Sequence, residues 1–190
     1  DDQIISGNGN DTINGLAGND NITLGSGTDT IVLSGVTNTS NGSDSISTFQ
    51  SADKYDLSEI FDGGSISNSN NGQISIATIE ELANHETPIK LTNNQLYLAE
   101  VTNKDDIDSV ADIVAALADE NGVIDAIDID LNSDVLLILG GSDDDKTHFI
   151  YGIRQDNSNL IQTPEVSLLA TVSADLENGV QSFTTDNFIF

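Results

Sequence analysis

The chain contains no cysteine, and lysine and arginine together supply only 5 of its 190 residues, against 32 aspartates and glutamates. The first absence excludes disulfide cross-links and a thiol nucleophile. Secreted proteins of this size often rely on disulfides, so one without them needs another staple, and bound metal can serve. The shortage of cations leaves a net charge of −27. Such a chain repels nucleic-acid phosphates and anionic membranes, and it also repels itself, so its compact state depends on counter-ions. Long apolar runs are missing too. The longest aliphatic stretch, Val135–Leu139, has five residues, whereas a membrane-spanning helix takes about twenty.

Catalytic signatures are equally scarce. There is no His-Glu-x-x-His zinc motif, no phosphate-binding loop and no Gly-x-Ser-x-Gly elbow. His85 and His148 stand alone, without metal-ligand spacing. The acidic run Asp143–Asp145 reads as a solvated loop. Asp119–Gly122 resembles part of an EF-hand loop, but Leu117 stands at its first ligand position. The expectation is a chain that is not an enzyme, takes no nucleic-acid partner and does not insert into membranes.

What the sequence does have is a period of nine. Aspartates fall at Asp2, Asp11, Asp20 and Asp29, isoleucines two places later at Ile4, Ile13, Ile22 and Ile31, and glycines two places earlier at Gly9, Gly18 and Gly27. The nonapeptide units are Ser6–Asn14, Gly15–Thr23 and Leu24–Val32. Asp1–Ile5 reads as the tail of an earlier unit, so the natural protein is expected to continue upstream. Each unit is a tight turn followed by a very short strand. Glycine lets the turn adopt positive φ and lets backbone carbonyls converge, and the aspartate adds a carboxylate oxygen. Oxygen-only ligands in that number suit calcium. The isoleucine points inward, and since one unit cannot bury it, the units must stack.

The unit Ser6-Gly-Asn-Gly-Asn-Asp-Thr-Ile-Asn14 resembles the glycine-aspartate nonapeptide of RTX proteins, with Ser6, Leu16 and Leu24 standing where that family usually has glycine. The resemblance implies a parallel β-roll whose successive turns alternate between two sides, with calcium between turns two repeats apart. It implies that the best-formed site joins Asp11 and Asp29 to carbonyls of the turns holding Ser6, Asn8 and Gly9 and holding Leu24, Ser26 and Gly27. Asp20, in the turn with Gly15, Ala17 and Gly18, would face Asp2, whose own turn is truncated.

The phase breaks at Leu33–Asn38 and returns at Gly42-Ser-Asp44-Ser-Ile46. From Asp44 to Ser58 the chain is similar to the cap that ends the roll in serralysin-type metallopeptidases, with Thr48 in place of an acidic residue. Asp44, Asp53 and Asp56 are therefore candidate calcium ligands, exposed turn residues being the alternative.

Beyond residue 61 the texture changes. Residues 62–73 read as a linker or loose hairpin. Thr78–Glu81 reads as a capping box opening a short helix. Ile89–Leu91 and Leu96–Leu98 read as a hairpin across Asn93-Asn94. Ile107, Val110, Ala111, Val114, Leu117 and Ala118 predict one good helix, with Asp105 and Asp106 at its start and Asn121-Gly122 at its end. Ile127–Leu131, Val135–Leu139, His148–Arg154 and Val166–Val172 predict strands. The fold class is thus mainly β with some α. A short roll with its cap spans residues 1–61, and an α+β domain with a mainly antiparallel sheet and one main helix spans 74–190.

The carboxyl terminus, Asp186-Asn-Phe-Ile-Phe190, is similar to the uncleaved export signal that ends many RTX proteins, which implies Asp186, Phe188, Ile189 and Phe190 as the segment read by a type I secretion apparatus. A last β-strand is the plain alternative, and both can hold. The segment is expected to be dispensable for folding of the roll. Glu165–Thr171 together with this end also resembles the closing module of surface-layer and adhesin-like RTX proteins. The expected function is the calcium-dependent folding and export region of a secreted, structural surface protein, with calcium as cofactor and a lattice of its own copies or a cell surface as partner. The alternative is the same region of a secreted enzyme whose catalytic domain lies upstream. The long segment after the cap favours the first.

Overall fold

The nine-residue period folds as two facing ladders of parallel strands. In the computed structural model the described residues are 1–61, 76–78, 89–90, 95–101, 107–118, 124–125, 134–141, 144–154, 166–176 and 179–190. Strands β1 (Gln3–Ile5), β2 (Thr12–Ile13), β3 (Asn21–Thr23) and β4 (Thr30–Val32) alternate between the ladders. β1 pairs with β3 and β2 with β4, placing Ile4 beside Ile22 and Ile13 beside Ile31. A single-turn helix, α1 (Asn38–Asn41), interrupts the repeat before β5 (Asp44–Gln50) and β6 (Lys54–Asp56) continue both ladders.

The phase break is an insertion. Hydrogen bonds between the first coils link residues 18 apart, and those to the last coil link residues 24 apart. The extra residues leave the roll as a loop around α1, and the ladders resume in register. Buried Asn41 closes the loop: its Oδ1 accepts the Ser34 N–H at 2.7 Å and its Nδ2 donates to the Gly35 carbonyl at 2.5 Å. The apolar columns therefore run unbroken, Ile4–Ile22–Ile46 in one sheet and Ile13–Ile31–Tyr55 in the other. No single unit could shield such side chains; stacking buries all but Ile4 almost completely.

The remaining strands are β7 (Ile76–Thr78), β8 (Ile89–Lys90), β9 (Gln95–Val101), β10 (Ile124–Asp125), β11 (Asp134–Gly141), β12 (Asp144–Arg154), β13 (Val166–Asp175) and β14 (Phe188–Ile189), with helix α2 at Val110–Ala118. Apart from β8 and β10, these strands extend the two sheets of the roll. The larger sheet runs β1-β3-β5-β13-β12-β11-β9-β7, and the second runs β14-β6-β4-β2. The meander β11–β12–β13 is antiparallel, as expected, while β5/β13, β9/β11 and β7/β9 are parallel, so the sheet is mixed. The chain is mainly β, a parallel roll followed by a mixed sheet with a helix. One buried apolar cluster joins the isoleucine columns to Phe49, Leu98, Ile150, Phe183 and Phe188. A second gathers Ile107, Ile113, Leu137, Tyr151 and Ile153 under α2.

Three local expectations are corrected. Ile89–Lys90 and Leu96–Leu98 do not form a hairpin: β8 pairs with β10 in a separate ribbon, and β9 lies between β7 and β11. Leu98 is fully buried there, and that burial outweighs local turn chemistry. Helix α2 begins at Val110, with the Ser109 Oγ accepting the Asp112 N–H at 3.3 Å; Val110 and Val114 pack on the core as expected, but Ile107 precedes the helix, Ile113 is its most buried residue and Ala111 is exposed. The carboxyl-terminal segment is not separate from the roll, because β14 pairs in parallel with β6. Thr78 ends β7. The linker at 62–73, the rest of the capping box, Asn93-Asn94, Asp105, Asp106, Asp119–Gly122, Ile127–Leu131, Asp143 and His85 lie outside the described residues.

Candidate metal centre

The turns of the roll stack as the strands do. Gly9, Gly18 and Gly27 adopt φ of 122°, 126° and 140°, where a side chain would be strained. The first turn pairs with the third: the Gly9 N–H donates to the Ser26 carbonyl at 2.8 Å and the Ser26 N–H to the Gly7 carbonyl at 2.9 Å. The contact is close enough that a Cβ on Gly25 would overlap the Gly7 carbonyl oxygen.

Two columns of aspartates flank this stack. In one, Asp2 N–H donates to Asp20 Oδ1 at 2.6 Å and Asp20 N–H to Asp44 Oδ1 at 3.0 Å. In the other, Asp11 N–H donates to Asp29 Oδ1 at 2.9 Å and Asp29 N–H to Asp53 Oδ1 at 2.8 Å. One oxygen each of Asp20, Asp29, Asp44 and Asp53 is thus fixed by the backbone of the preceding coil. Asp11 Oδ2, Asp20 Oδ2 and Asp29 Oδ2 are buried without a hydrogen-bond partner. Asp29 is fully buried and Asp20 is 2% exposed. An ionised carboxylate in that setting is strongly destabilising unless a cation meets it. Burial, above all, pushes the Asp44 carboxyl up to about 6; the Asp20 N–H opposes this and the neighbouring Asp20 carboxylate adds to it. Burial likewise raises Asp53, with the Asp29 carboxylate as a lesser cause.

The residues fit calcium. Hard carboxylate oxygens without partners sit beside stacked carbonyls, which is the ligand chemistry this ion takes. Among the described residues no three His, Cys, Asp or Glu side chains converge as a metal centre on their own, so backbone carbonyls must complete any coordination shell. The cap residues differ among themselves. Asp44 lies in the first column. Asp53 ends the second, but both its oxygens are engaged, Oδ2 accepting the Gln50 N–H at 2.7 Å. Asp56 belongs to neither: its Oδ1 accepts from Ser58 N–H at 3.0 Å and Ser58 Oγ at 2.6 Å, a local turn. Thr48, with φ of 62°, turns its hydroxyl onto the Leu24 carbonyl.

Several contributors were not foreseen. Asn10 Oδ1 accepts the Thr28 N–H and Asn19 Oδ1 the Ser43 N–H, each at 2.9 Å, forming a second rank of clasps outside the aspartates. Their position, immediately before Asp11 and Asp20, was the available signal. Asn187 donates from Nδ2 to the Ser51 carbonyl at 2.9 Å and the Asp53 carbonyl at 2.8 Å, fastening the carboxyl terminus to the cap. Phe188 is buried, Asp186 is exposed, and Ile189 and Phe190 are 38% and 50% exposed.

No curated protein and no solved structure matches the chain. A family model does match its amino-terminal part: the RTX calcium-binding nonapeptide repeat, in 4 copies, over residues 1–31. Proteins with such repeats are typically secreted, and no helix among the described residues is long and apolar enough to cross a membrane. The match spans Asp2, Asp11, Asp20 and Asp29 but stops short of Asp44 and Asp53, and residues 1–31 are RTX repeats whose cofactor is calcium.

Proposed function

We propose that this chain is the calcium-dependent folding and export region of a secreted, non-enzymatic surface protein of the surface-layer or adhesin-like kind. One observation carries the reading: buried carboxylate oxygens without partners line both turn columns of a roll that the chain's own carboxyl terminus closes. Bound calcium would supply the positive charge these carboxylates lack. Asp11 with Asp29 and Asp20 with Asp44 would hold it, together with carbonyls of the stacked turns. Asp20, Asp29 and Asp44 then grip the preceding coil through Oδ1, and Asp11, Asp20 and Asp29 keep Oδ2 for the ion. Where calcium is scarce the same carboxylates repel one another, in a chain already carrying −27. Extracellular calcium modules bind at roughly 10⁻⁴ to 10⁻³ M, so the roll would remain open at cytosolic calcium and close outside the cell.

Export follows from the same switch. In the open chain Asp186–Phe190 is free for a type I apparatus to read; in the closed chain Phe188 is buried. Folding outside then opposes return. Circular dichroism of the whole chain, with calcium and with a chelator, tests the first half. A gain of β signal and thermal midpoint in calcium is expected, and an unchanged spectrum would overturn it. Removal of Phe188–Phe190 in a cell with a type I apparatus tests the second, and secretion at normal yield would overturn the export role.

A further inference from the structure

We propose that the Ser6 hydroxyl is itself a calcium ligand, a side-chain oxygen supplied at the first position of the repeat where the next turn has only Gly15. The inference rests on the calcium reading above and adds a ligand to one of its sites. Four side-chain atoms are buried without a hydrogen-bond partner among the described residues, and three of them, Ser6 Oγ, Asp11 Oδ2 and Asp29 Oδ2, belong to a single pair of stacked turns. A buried hydroxyl without a partner is uncommon in a native fold and calls for an explanation.

The direction of the side chain comes from its equivalent nine residues on. A Cβ built on Gly15 would stand 2.6 Å from Asp20 Oδ2 and 3.2 Å from Asp44 Oδ2, the carboxylates of its own turn and of the next coil. Ser6 holds the same place relative to Asp11 and Asp29. Its side chain therefore aims between the two unpartnered oxygens, and a hydroxyl there adds a neutral, hard oxygen to two carboxylates. The third turn provides the contrast. Leu24 at this position is 2% exposed within the apolar core, and the next carboxylate, Asp53, already has both oxygens bonded. First-position chemistry thus differs in each turn: a hydroxyl at Ser6, no side chain at Gly15, where the carboxylates crowd in, and hydrocarbon at Leu24.

The test replaces calcium with Eu³⁺ in the full chain and counts coordinated water from luminescence lifetimes in H₂O and D₂O. Ser6→Gly and Ser6→Ala should each raise the water count by about one per chain, since water fills a vacated position, and should weaken calcium at one site roughly three- to tenfold. Glycine suits the turn and alanine keeps the backbone restricted, so failure of both to fold is not expected. Asp29→Asn is the control and should lose an ion. If it does, while both Ser6 variants keep the wild-type water count and affinity, the Ser6 assignment is overturned and the calcium reading stands. If Asp29→Asn leaves the number of bound ions unchanged, both are overturned.

Discussion

Replacing Phe188 with alanine should raise the calcium concentration needed to fold the roll by about tenfold, although the residue lies 133 positions from the strand it supports. Phe188 is 6% exposed. It continues the column Ile13–Ile31–Tyr55, with ring centroids 6.2 Å from Tyr55 and 5.6 Å from Phe183. Its strand is held by Asn187 and by the Leu57 N–H, which donates to the Ile189 carbonyl at 2.8 Å. Truncating a buried phenylalanine costs about 3 to 5 kcal/mol, and the lower figure suits a strand of two residues at a chain end. Calcium offsets such a loss by mass action, at about 1.4 kcal/mol per tenfold concentration for each ion linked to folding. With the two proposed ions, one per column, about 3 kcal/mol corresponds to roughly one decade of calcium. A calcium titration followed by far-ultraviolet circular dichroism reads the midpoint directly. Phe190→Ala, at a side chain 50% exposed, should move it less than about twofold. Equal midpoints for wild type and Phe188→Ala, or equal shifts for the two variants, would refute the idea that the carboxyl terminus is a rung of the roll.

Three further outcomes follow from the same geometry. Asp11→Ala and Asp29→Ala should each weaken calcium binding and together do little more than either alone, because they share one ion; a calorimetric double-mutant cycle with additive losses would contradict that. Gly15→Ala should destabilise the calcium-loaded roll, since its Cβ would crowd Asp20 Oδ2 at 2.6 Å, and an unchanged thermal midpoint in calcium would show that the turn can yield. His148 is buried against Tyr55 Oη at 2.7 Å, and burial pushes its imidazolium pKa down to about 3 from 6.5. The unfolded chain therefore takes up a proton that the folded chain refuses. Stability from this group is complete above pH 6.5 and is lost as pH falls toward 3, by about 2 kcal/mol at pH 5. Denaturant unfolding at pH 7 and pH 5 should show His148→Gln losing less than wild type by that amount, and an identical loss would mean that the imidazole charges without penalty.

The roll was legible in the sequence because its constraints are local and repeated. A turn needs glycine, a column needs isoleucine, and both recur at a fixed interval; the pairing of Asp11 with Asp29, two repeats apart, was what the resemblance to RTX repeats implied. The interruption after Leu33 was visible as a lost phase, though not as a loop that leaves both ladders in register. Pairing across long separations left no such trace. Nothing in Val166–Val172 indicates that it borders β5, and nothing in Phe188–Ile189 indicates β6. Asn93-Asn94 carried a real turn signal, yet the strands beside it joined different sheets, because burying Leu96 and Leu98 against β11 gains more than a turn can. Within the site, Gln50 was hidden for a related reason. Its backbone N–H bonds Asp53 Oδ2, and a hydrogen bond from an N–H leaves no mark on residue identity.

The way the second aspartate column ends suggests why an amide stands at residue 187. Carboxylate oxygens left without a partner ask for a cation, so a column closed by another such aspartate would ask for one more. Here Asp53 has its carboxylate filled by two N–H donors, and its carbonyl receives the Asn187 Nδ2 at 2.8 Å. Asn187 is 5% exposed, and its Oδ1 accepts the Thr184 N–H at 2.9 Å, so the amide is satisfied on both sides. Asn187→Asp changes almost no volume but turns two donated hydrogen bonds into oxygens facing the carbonyls of Ser51 and Asp53, and it brings a charge to a column that ends without a cation. The loss should be about 3 to 5 kcal/mol, as expected when a buried charge has no partner. Asn187→Ala, which removes the bonds without adding charge, should lose about 1 to 3 kcal/mol. Urea unfolding in saturating calcium separates the two. If the aspartate variant is no less stable than the alanine variant, repulsion at the end of the column is not what the amide avoids, and Asn187 serves only to hold the last strand in place.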